Sequence, residues 1–214
     1  DMSSAHESLM LKVEHLEKIL ADLGRVVVAF SGGADSAYLA SVAHRVLGAE
    51  ASLAVTAVSP SLAGDEERDC RDLAKEWGLR WLPVVTAEME RAAYRANDVD
   101  RCYHCKAELM DVVGPIAVAE TATVVLGVNV DDLADHRPGQ RAAIEHGAVF
   151  PLVLAGFTKD DVRSASRLDG LRTWDKPAAA CLASRVPYGT PVNVEILTRV
   201  DRAEAALPRL GFRQ

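Results

Sequence analysis

The chain lacks any apolar run approaching the roughly 20 residues that a membrane-spanning helix needs, and no internal repeat or low-complexity linker interrupts it. Positive charge is in deficit. With 24 Lys and Arg against 31 Asp and Glu, the net charge is −7. This argues against a general affinity for nucleic acid and leaves room only for a local basic patch. No secretion signal is expected, because Lys12, Glu14 and His15 break what would be its apolar core. Cysteine is scarce, at four residues with a single Cys-x-x-Cys pair. That excludes a four-cysteine zinc site built from two such pairs. Without a secretion signal, the thiols are expected in a reducing cytoplasm, where metal or redox chemistry outranks structural disulfides.

What is present suits an α/β protein. The 214 residues are 49% hydrophobic, enough for one domain with a full core, or for one domain and part of a second. Asp1 ahead of Met2 reads as an added remnant. Leu9, Val13, Leu16 and Leu20 fall at helical spacing and predict an amphipathic leading helix. Strands are expected at Val26–Phe30, Ala51–Ser59, Trp81–Val85, Thr123–Asn129 and Val149–Leu154. Helices are expected at Ser36–Leu47, Asp65–Trp77, Lys106–Ala119, Gln140–Glu145 and Thr158–Leu168. Thr158 is the expected N-cap of the last, with Asp160 and Asp161 in its first turn. A final helix is expected from Val194 towards Leu207, ended by Pro208. The alternation predicts a Rossmann-like parallel sheet with helices on both faces. Ligands of such sheets bind beyond the C-terminal strand ends, which selects the loops after Phe30, Ser59, Asn129 and Leu154.

The first of these loops carries the strongest motif, Ser31-Gly32-Gly33-Ala34-Asp35-Ser36. It joins a β-branched strand to a helix, leaving backbone N–H groups unpaired at a helix N-terminus, where they can hold phosphate. Gly32 and Gly33 let the backbone lie against an anion with no Cβ in the way. Ser31 and Ser36 add hydroxyl donors, and Asp35 could orient Mg²⁺ or a backbone amide. An ordinary turn would explain a lone glycine pair but not all six residues. No Gly-Lys-Ser/Thr follows, and no Gly-x-Gly-x-x-Gly is present, so this is neither a Walker loop nor a dinucleotide fingerprint. The hexapeptide resembles the pyrophosphate (PP) loop of ATP-pyrophosphatase enzymes. These adenylate a carbonyl or carboxylate, release pyrophosphate, and displace AMP with ammonia or sulfur.

The cysteines narrow the choice. Cys102-Tyr103-His104-Cys105 is expected just ahead of a helix beginning at Lys106, where both thiols would have lowered pKa values. Cys70 lies at helical spacing with Leu73 and Trp77 and reads as core. Cys181 sits in Lys176-Pro177-Ala178-Ala179-Ala180-Cys181-Leu182-Ala183-Ser184-Arg185, where small side chains permit close approach of backbone and ligand. Three cysteines from two loops can hold a 4Fe–4S cluster and leave its fourth iron open to sulfide. Dithiol or persulfide chemistry, and a zinc site completed by His104, stay open beside it.

Three further segments extend the resemblance: Arg101-Cys102-Tyr103-His104-Cys105-Lys106, Gly127-Val128-Asn129-x-Asp131-Asp132-x-x-Asp135-x-Arg137-Pro138-Gly139, and Cys181-Leu182-Ala183-Ser184-Arg185-Val186-Pro187-Tyr188-Gly189-Thr190. With the PP-loop they resemble the LarE family, sulfur transferases that build the nickel-pincer cofactor of lactate racemase. The resemblance implies an adenine nucleotide alpha hydrolase-like version of the Rossmann-like fold. It also implies adenylation of a carboxylate of pyridinium-3,5-biscarboxylic acid mononucleotide and its conversion to a thiocarboxylate, with ATP and Mg²⁺ as cofactors. Some members sacrifice their own cysteine, at the position where this chain has Ala180. Others hold a 4Fe–4S cluster on three cysteines, and Cys102, Cys105 and Cys181 match that type. A sacrificial or persulfide role for Cys181 is the alternative.

On this basis Ser31, Gly32, Gly33, Asp35 and Ser36 are expected to cradle pyrophosphate, while Asn129 and Asp131 contact nucleotide or Mg²⁺ and Arg137 binds substrate phosphate. Cys181, Lys106, Arg185, Ser184 and Glu204 are the expected catalytic residues. Lys106 and Arg185 would neutralise phosphates or carboxylates, and a salt bridge with an arginine is the plain alternative for Glu204. The expected partners are the small pyridinium mononucleotide, a sulfide source and further copies of the chain, with neither nucleic acid nor membrane. Residues 1–190 read as the PP-loop domain. Residues 191–214, ending in the phrase Leu210–Gln214, read as the opening of a C-terminal substrate domain carried only in part. A tRNA thiolase, an ammonia-using synthetase and a non-catalytic nucleotide-binding module are the rivals. The first calls for a basic RNA surface or zinc-ribbon cysteines, and the second gives three cysteines no role.

Overall fold

The computed structural model describes residues 2–134 and 137–212. Asp135 of the third motif, and Arg213 and Gln214 of the final phrase, lie outside them. Among the described residues the chain runs α1 (Met2–Leu23), β1 (Val26–Ala29), α2 (Ala34–Leu47), β2 (Ser52–Val58), α3 (Gly64–Trp77), β3 (Trp81–Val85), the one-turn α4 (Ala92–Arg95) and α5 (Arg101–Ala119). It continues through β4 (Thr123–Leu126), α6 (Pro138–Glu145), the one-turn α7 (Pro151–Leu154), α8 (Lys159–Leu168) and α9 (Val194–Ala206). The strands pair in parallel in the order β3-β2-β1-β4, with Val26 in register with Ser52 on one side and Thr123 on the other. None of the described helices is long and apolar enough to cross a membrane.

The period-two alternation of the strands divides the core. Val26, Val28 and Phe30 face α1, α2, α3 and α8, where they meet Leu16, Leu20, Tyr38, Leu73 and Val162. Val27, Leu53, Val55 and Val124 face the other way, onto Leu109 and Val113 of α5. Full burial of each aliphatic side chain contributes about 1.5–3 kcal/mol, so both layers are needed to hold β1 in the centre. The helical spacing of α1 works as expected, with Leu9, Leu16 and Leu20 buried. Thr158 caps α8 in a reciprocal box with Asp161. A third, smaller cluster of Tyr94, Leu182, Ala183, Val186, Val192 and Leu197 packs the chain after Cys181 against α4 and α5.

Two expectations are corrected. The strand expected at Val149–Leu154 is reduced to a single bridge between Val149 and Val125, followed by the turn of α7. Val149 makes both its ladder bonds, to Val124 and Leu126, but Pro151 has no N–H to extend the ladder and its fixed φ starts a helix instead. The second concerns the cysteine pair, which lies within α5 rather than ahead of it. The helix begins at Arg101, whose N–H bonds the Asp98 carbonyl at 3.0 Å, with Tyr103 N–H on Asp100 at 2.9 Å.

One close approach sets the site. A Cβ on Gly127, just past β4, would lie 2.7 Å from the Ser36 backbone nitrogen and 2.9 Å from the Asp35 carbonyl carbon. Both neighbours are backbone and cannot rotate away. Gly127→Ala is therefore expected to cost about 1–3 kcal/mol by overpacking, read as a lowered urea midpoint with an unchanged slope.

Candidate active site

The phosphate loop is ordered by its own hydroxyls. Ser36 Oγ accepts the Ser31 N–H at 3.1 Å and lies 3.0 Å from Ser31 Oγ. Gly32 takes a left-handed φ of +77°, which favours glycine. Gly33 is the N-cap of α2 and offers no side-chain cap, so the first-turn amides are left for an anion. Asp35 points out of this turn and is held from two sides, by Asn129 Nδ2 at 3.3 Å and Lys159 Nζ at 2.8 Å. Asn129 is buried and exchanges hydrogen bonds with Asp132, side chain to backbone in both directions, each at 3.1 Å. Arg137 pairs with Asp132 at 3.3 Å. The Asp131 carboxylate accepts the backbone N–H of Lys159 at 2.8 Å. The structure thus brings Asp35, Asn129, Asp131 and Arg137 into one loop cluster at the C-terminal sheet edge.

Lys176 closes the other flank of the loop. Its ammonium donates to the Gly32 carbonyl at 3.2 Å and to Glu66 and Asp69. Burial opposes its charge, but the Asp69 and Glu66 hydrogen bonds win and hold its pKa above the ordinary lysine value. Asp69 is correspondingly low: burial works against ionisation, and its bonds to Lys176 and Arg172 overcome that. Cys70, fully buried as expected, sits beneath Gly32, and burial pushes its thiol up to about 11.

Five residues beyond Lys176 the same strand of chain delivers Cys181 to the third cluster, where it and Cys105 pack beside Tyr94. The Leu182 N–H bonds the Ser61 carbonyl at 3.0 Å, tying this segment to the loop after β2. Ser184 Oγ donates to the Cys181 carbonyl at 2.6 Å. Arg185 pairs with Glu204 rather than standing free. Lys106, half-buried, packs its stem against Gly139, where a Cβ would meet Lys106 Cγ at 2.9 Å and the Cys102 carbonyl at 3.1 Å. Lys106 and Arg185 therefore belong to the cysteine-bearing side, while Lys159 and Lys176 are the cations set against the phosphate loop.

The expected lowering of both Cys-x-x-Cys thiols does not hold for Cys105. Burial pushes it up to about 12, with Glu88, Cys181 and Cys102 adding to the rise and Lys106 opposing it. The reason is the helix register: residue 105 lies a full turn inside α5 and faces the cluster, whereas Cys102 is exposed. Among the described residues no three His, Cys, Asp or Glu side chains gather closely enough to hold a metal ion. The donor chemistry suits an iron–sulfur group, since Cys105 and Cys181 share one wall and Cys102 lies one turn from Cys105, but the three sulfurs do not form a closed set.

Sequence reasoning missed Lys159 and gave Lys176 no role. Lys159 had a faint signal: it is a cation in the first turn of α8, where the helix dipole disfavours it. Glu88, buried next to β3, accepts the Ser59 hydroxyl.

Comparison with known proteins agrees with this geometry. Residues 9–106 match the NAD synthase family, as the PP-loop predicts. An uncharacterised protein of Synechocystis sp. is 48% identical over 95% of this chain and 76% of its own. Pyridinium-3,5-bisthiocarboxylic acid mononucleotide synthase of Lactiplantibacillus plantarum is 35% identical over 96% of this chain and 75% of its own. A third, uncharacterised relative in Methanocaldococcus jannaschii is 23% identical over 86% of this chain and 69% of its own. With the Lactiplantibacillus plantarum synthase matched over nearly all of this chain, the chain belongs to the LarE family of PP-loop proteins, which are ATP-dependent sulfurtransferases.

Proposed function

We propose that the chain activates a carboxylate of pyridinium-3,5-biscarboxylic acid mononucleotide with Mg²⁺–ATP and replaces one of its oxygens by sulfur, in a reducing cytoplasm. The observation that carries this reading is the 176–181 segment, anchored on the phosphate loop through Lys176 at one end and bearing Cys181 at the other. The name of the Lactiplantibacillus plantarum relative supplies the substrate class.

A carboxylate does not exchange oxygen for sulfur unaided, because oxide is too poor a leaving group. In the first step a carboxylate oxygen bonds to the α-phosphorus of ATP and the bond to the bridging α–β oxygen breaks. The products are an acyl adenylate and pyrophosphate. Ser31, Gly32, Gly33 and Ser36 would hold the pyrophosphate at the start of α2, with Asp35 and Asn129 directing Mg²⁺ and Lys159 and Arg137 balancing charge. Asp131 would keep Lys159 in place through its backbone amide. In the second step hydrosulfide adds to the acyl carbon and the carbon–oxygen bond to AMP breaks, leaving thiocarboxylate, AMP and a proton. Lys106, Ser184 and Arg185 would steady the substrate anions, with Glu204 orienting Arg185.

A 4Fe–4S cluster on Cys102, Cys105 and Cys181, when bound, would supply that sulfide. The unclosed sulfur set favours a second reading, in which the Cys181 thiolate itself attacks the acyl carbon. β-Elimination from the resulting thioester would release the thiocarboxylate and leave dehydroalanine at position 181.

The test is an anaerobic assay with Mg²⁺–ATP and sulfide. AMP and pyrophosphate are expected in equal amounts, and only when the pyridinium mononucleotide is present. Pyrophosphate release that depends on tRNA instead would overturn the reading. Lys159→Met leaves Asp35 uncompensated beside the phosphates. Because a charge-assisted hydrogen bond contributes ~1.5–3 kcal/mol, it is expected to raise KM for Mg²⁺–ATP about tenfold or more. Cys181→Ala is expected to keep AMP formation and lose the thiocarboxylate, and wild-type thiocarboxylate yield would remove Cys181 from the chemistry. In wild-type protein the mass of the peptide holding residue 181 after turnover separates the donors: intact cysteine for cluster sulfide, dehydroalanine for sacrifice.

A further inference from the structure

Between α4 and α5, Asn97 is fully buried and takes φ +54°, a left-handed backbone that few side chains other than asparagine tolerate. Its Nδ2 faces three carbonyls of the chain that follows Cys181, those of Val186 at 3.1 Å, Pro187 at 2.9 Å and Thr190 at 3.0 Å. Its own backbone carbonyl accepts the Gly189 N–H at 2.9 Å. Oδ1 accepts from Arg101 Nη1 at 2.6 Å, and that same nitrogen donates to the Ala183 carbonyl at 3.1 Å. Arg101 is only 4% exposed and its guanidinium lies 5.5 Å from the Tyr188 ring centroid. Among the described residues its Nε has no hydrogen-bond partner.

The arrangement is costly: a buried guanidinium is held by an amide oxygen and a backbone carbonyl rather than by a carboxylate, and desolvating it and its Nε–H opposes folding. A loop that had only to be covered could be held by apolar contacts without these costs. Such strain persists where a particular backbone geometry has to be kept.

We propose that Asn97 and Arg101 are positioning residues for sulfur transfer. By fixing the carbonyls of residues 183–190 they hold Cys181 and Arg185 against the adenylated carboxylate, without touching it themselves. The inference rests on the sulfur-transfer reading above and is independent of whether cluster or cysteine supplies the sulfur.

The decisive variant is Asn97→Gly, because glycine adopts the left-handed backbone freely and removes only the amide. It is expected to form AMP within about twofold of wild type, while thiocarboxylate per AMP falls about tenfold or more as misaligned adenylate is lost to water. Arg101→Lys, retaining the charge and a donor, is expected to recover part of the ratio lost in Arg101→Met. A wild-type ratio in Asn97→Gly, or a loss of both products together with a lowered urea midpoint, would overturn the proposal. A readout independent of the reaction separates this from failure of the functional reading. Iodoacetamide labelling of Cys181, followed by peptide mass, is expected to speed up severalfold in Asn97→Gly. If wild type makes no AMP from the mononucleotide, the substrate assignment falls. An unchanged labelling rate removes the positioning role.

Discussion

Strand β4 can end on top of the phosphate loop only because residue 127 has no side chain. A Cβ there would stand 2.7 Å from the Ser36 nitrogen, inside any tolerable contact. Beyond it Asn129 reaches Asp35, and Gly139 closes on Cys102 and Lys106 of the cysteine helix. The return path is made by the 176–181 segment, from the Gly32 carbonyl to the wall that Cys181 shares with Cys105. The phosphate loop is thus linked to the cysteine side by contacts on two flanks.

Electrostatics treats the two sides differently. On the phosphate side, acids and lysines are paired: Lys159 with Asp35, Lys176 with Glu66 and Asp69. These pairs hold both lysines against the loop in fixed positions. On the cysteine side burial dominates. With its thiol pushed up to about 12, Cys105 is protonated at neutral pH and a poor nucleophile. Such a thiol becomes reactive or ligating only when its proton is taken.

Much of this was legible in the sequence, for identifiable reasons. The β-branched run at Val26 and the helical spacing of Leu9, Leu16 and Leu20 are local patterns that tertiary packing reinforced. The PP-loop was legible because its chemistry is contiguous over six residues. The strand at Val149 was misjudged because an apolar run was weighed above Pro151, which cannot continue a ladder. The Cys105 thiol was misjudged because burial depends on helix register, and the start of α5 was placed five residues late. Lys159 and Asn97 were invisible as site residues, since their partners lie far away in sequence.

The central claim is that the loop makes AMP the leaving group on the carbon that receives sulfur. Tracing heavy oxygen from the substrate carboxylate tests it most directly. If the acyl adenylate forms, each thiocarboxylate produced leaves one labelled oxygen in the phosphate of AMP. AMP free of label, with thiocarboxylate still formed, would contradict the account.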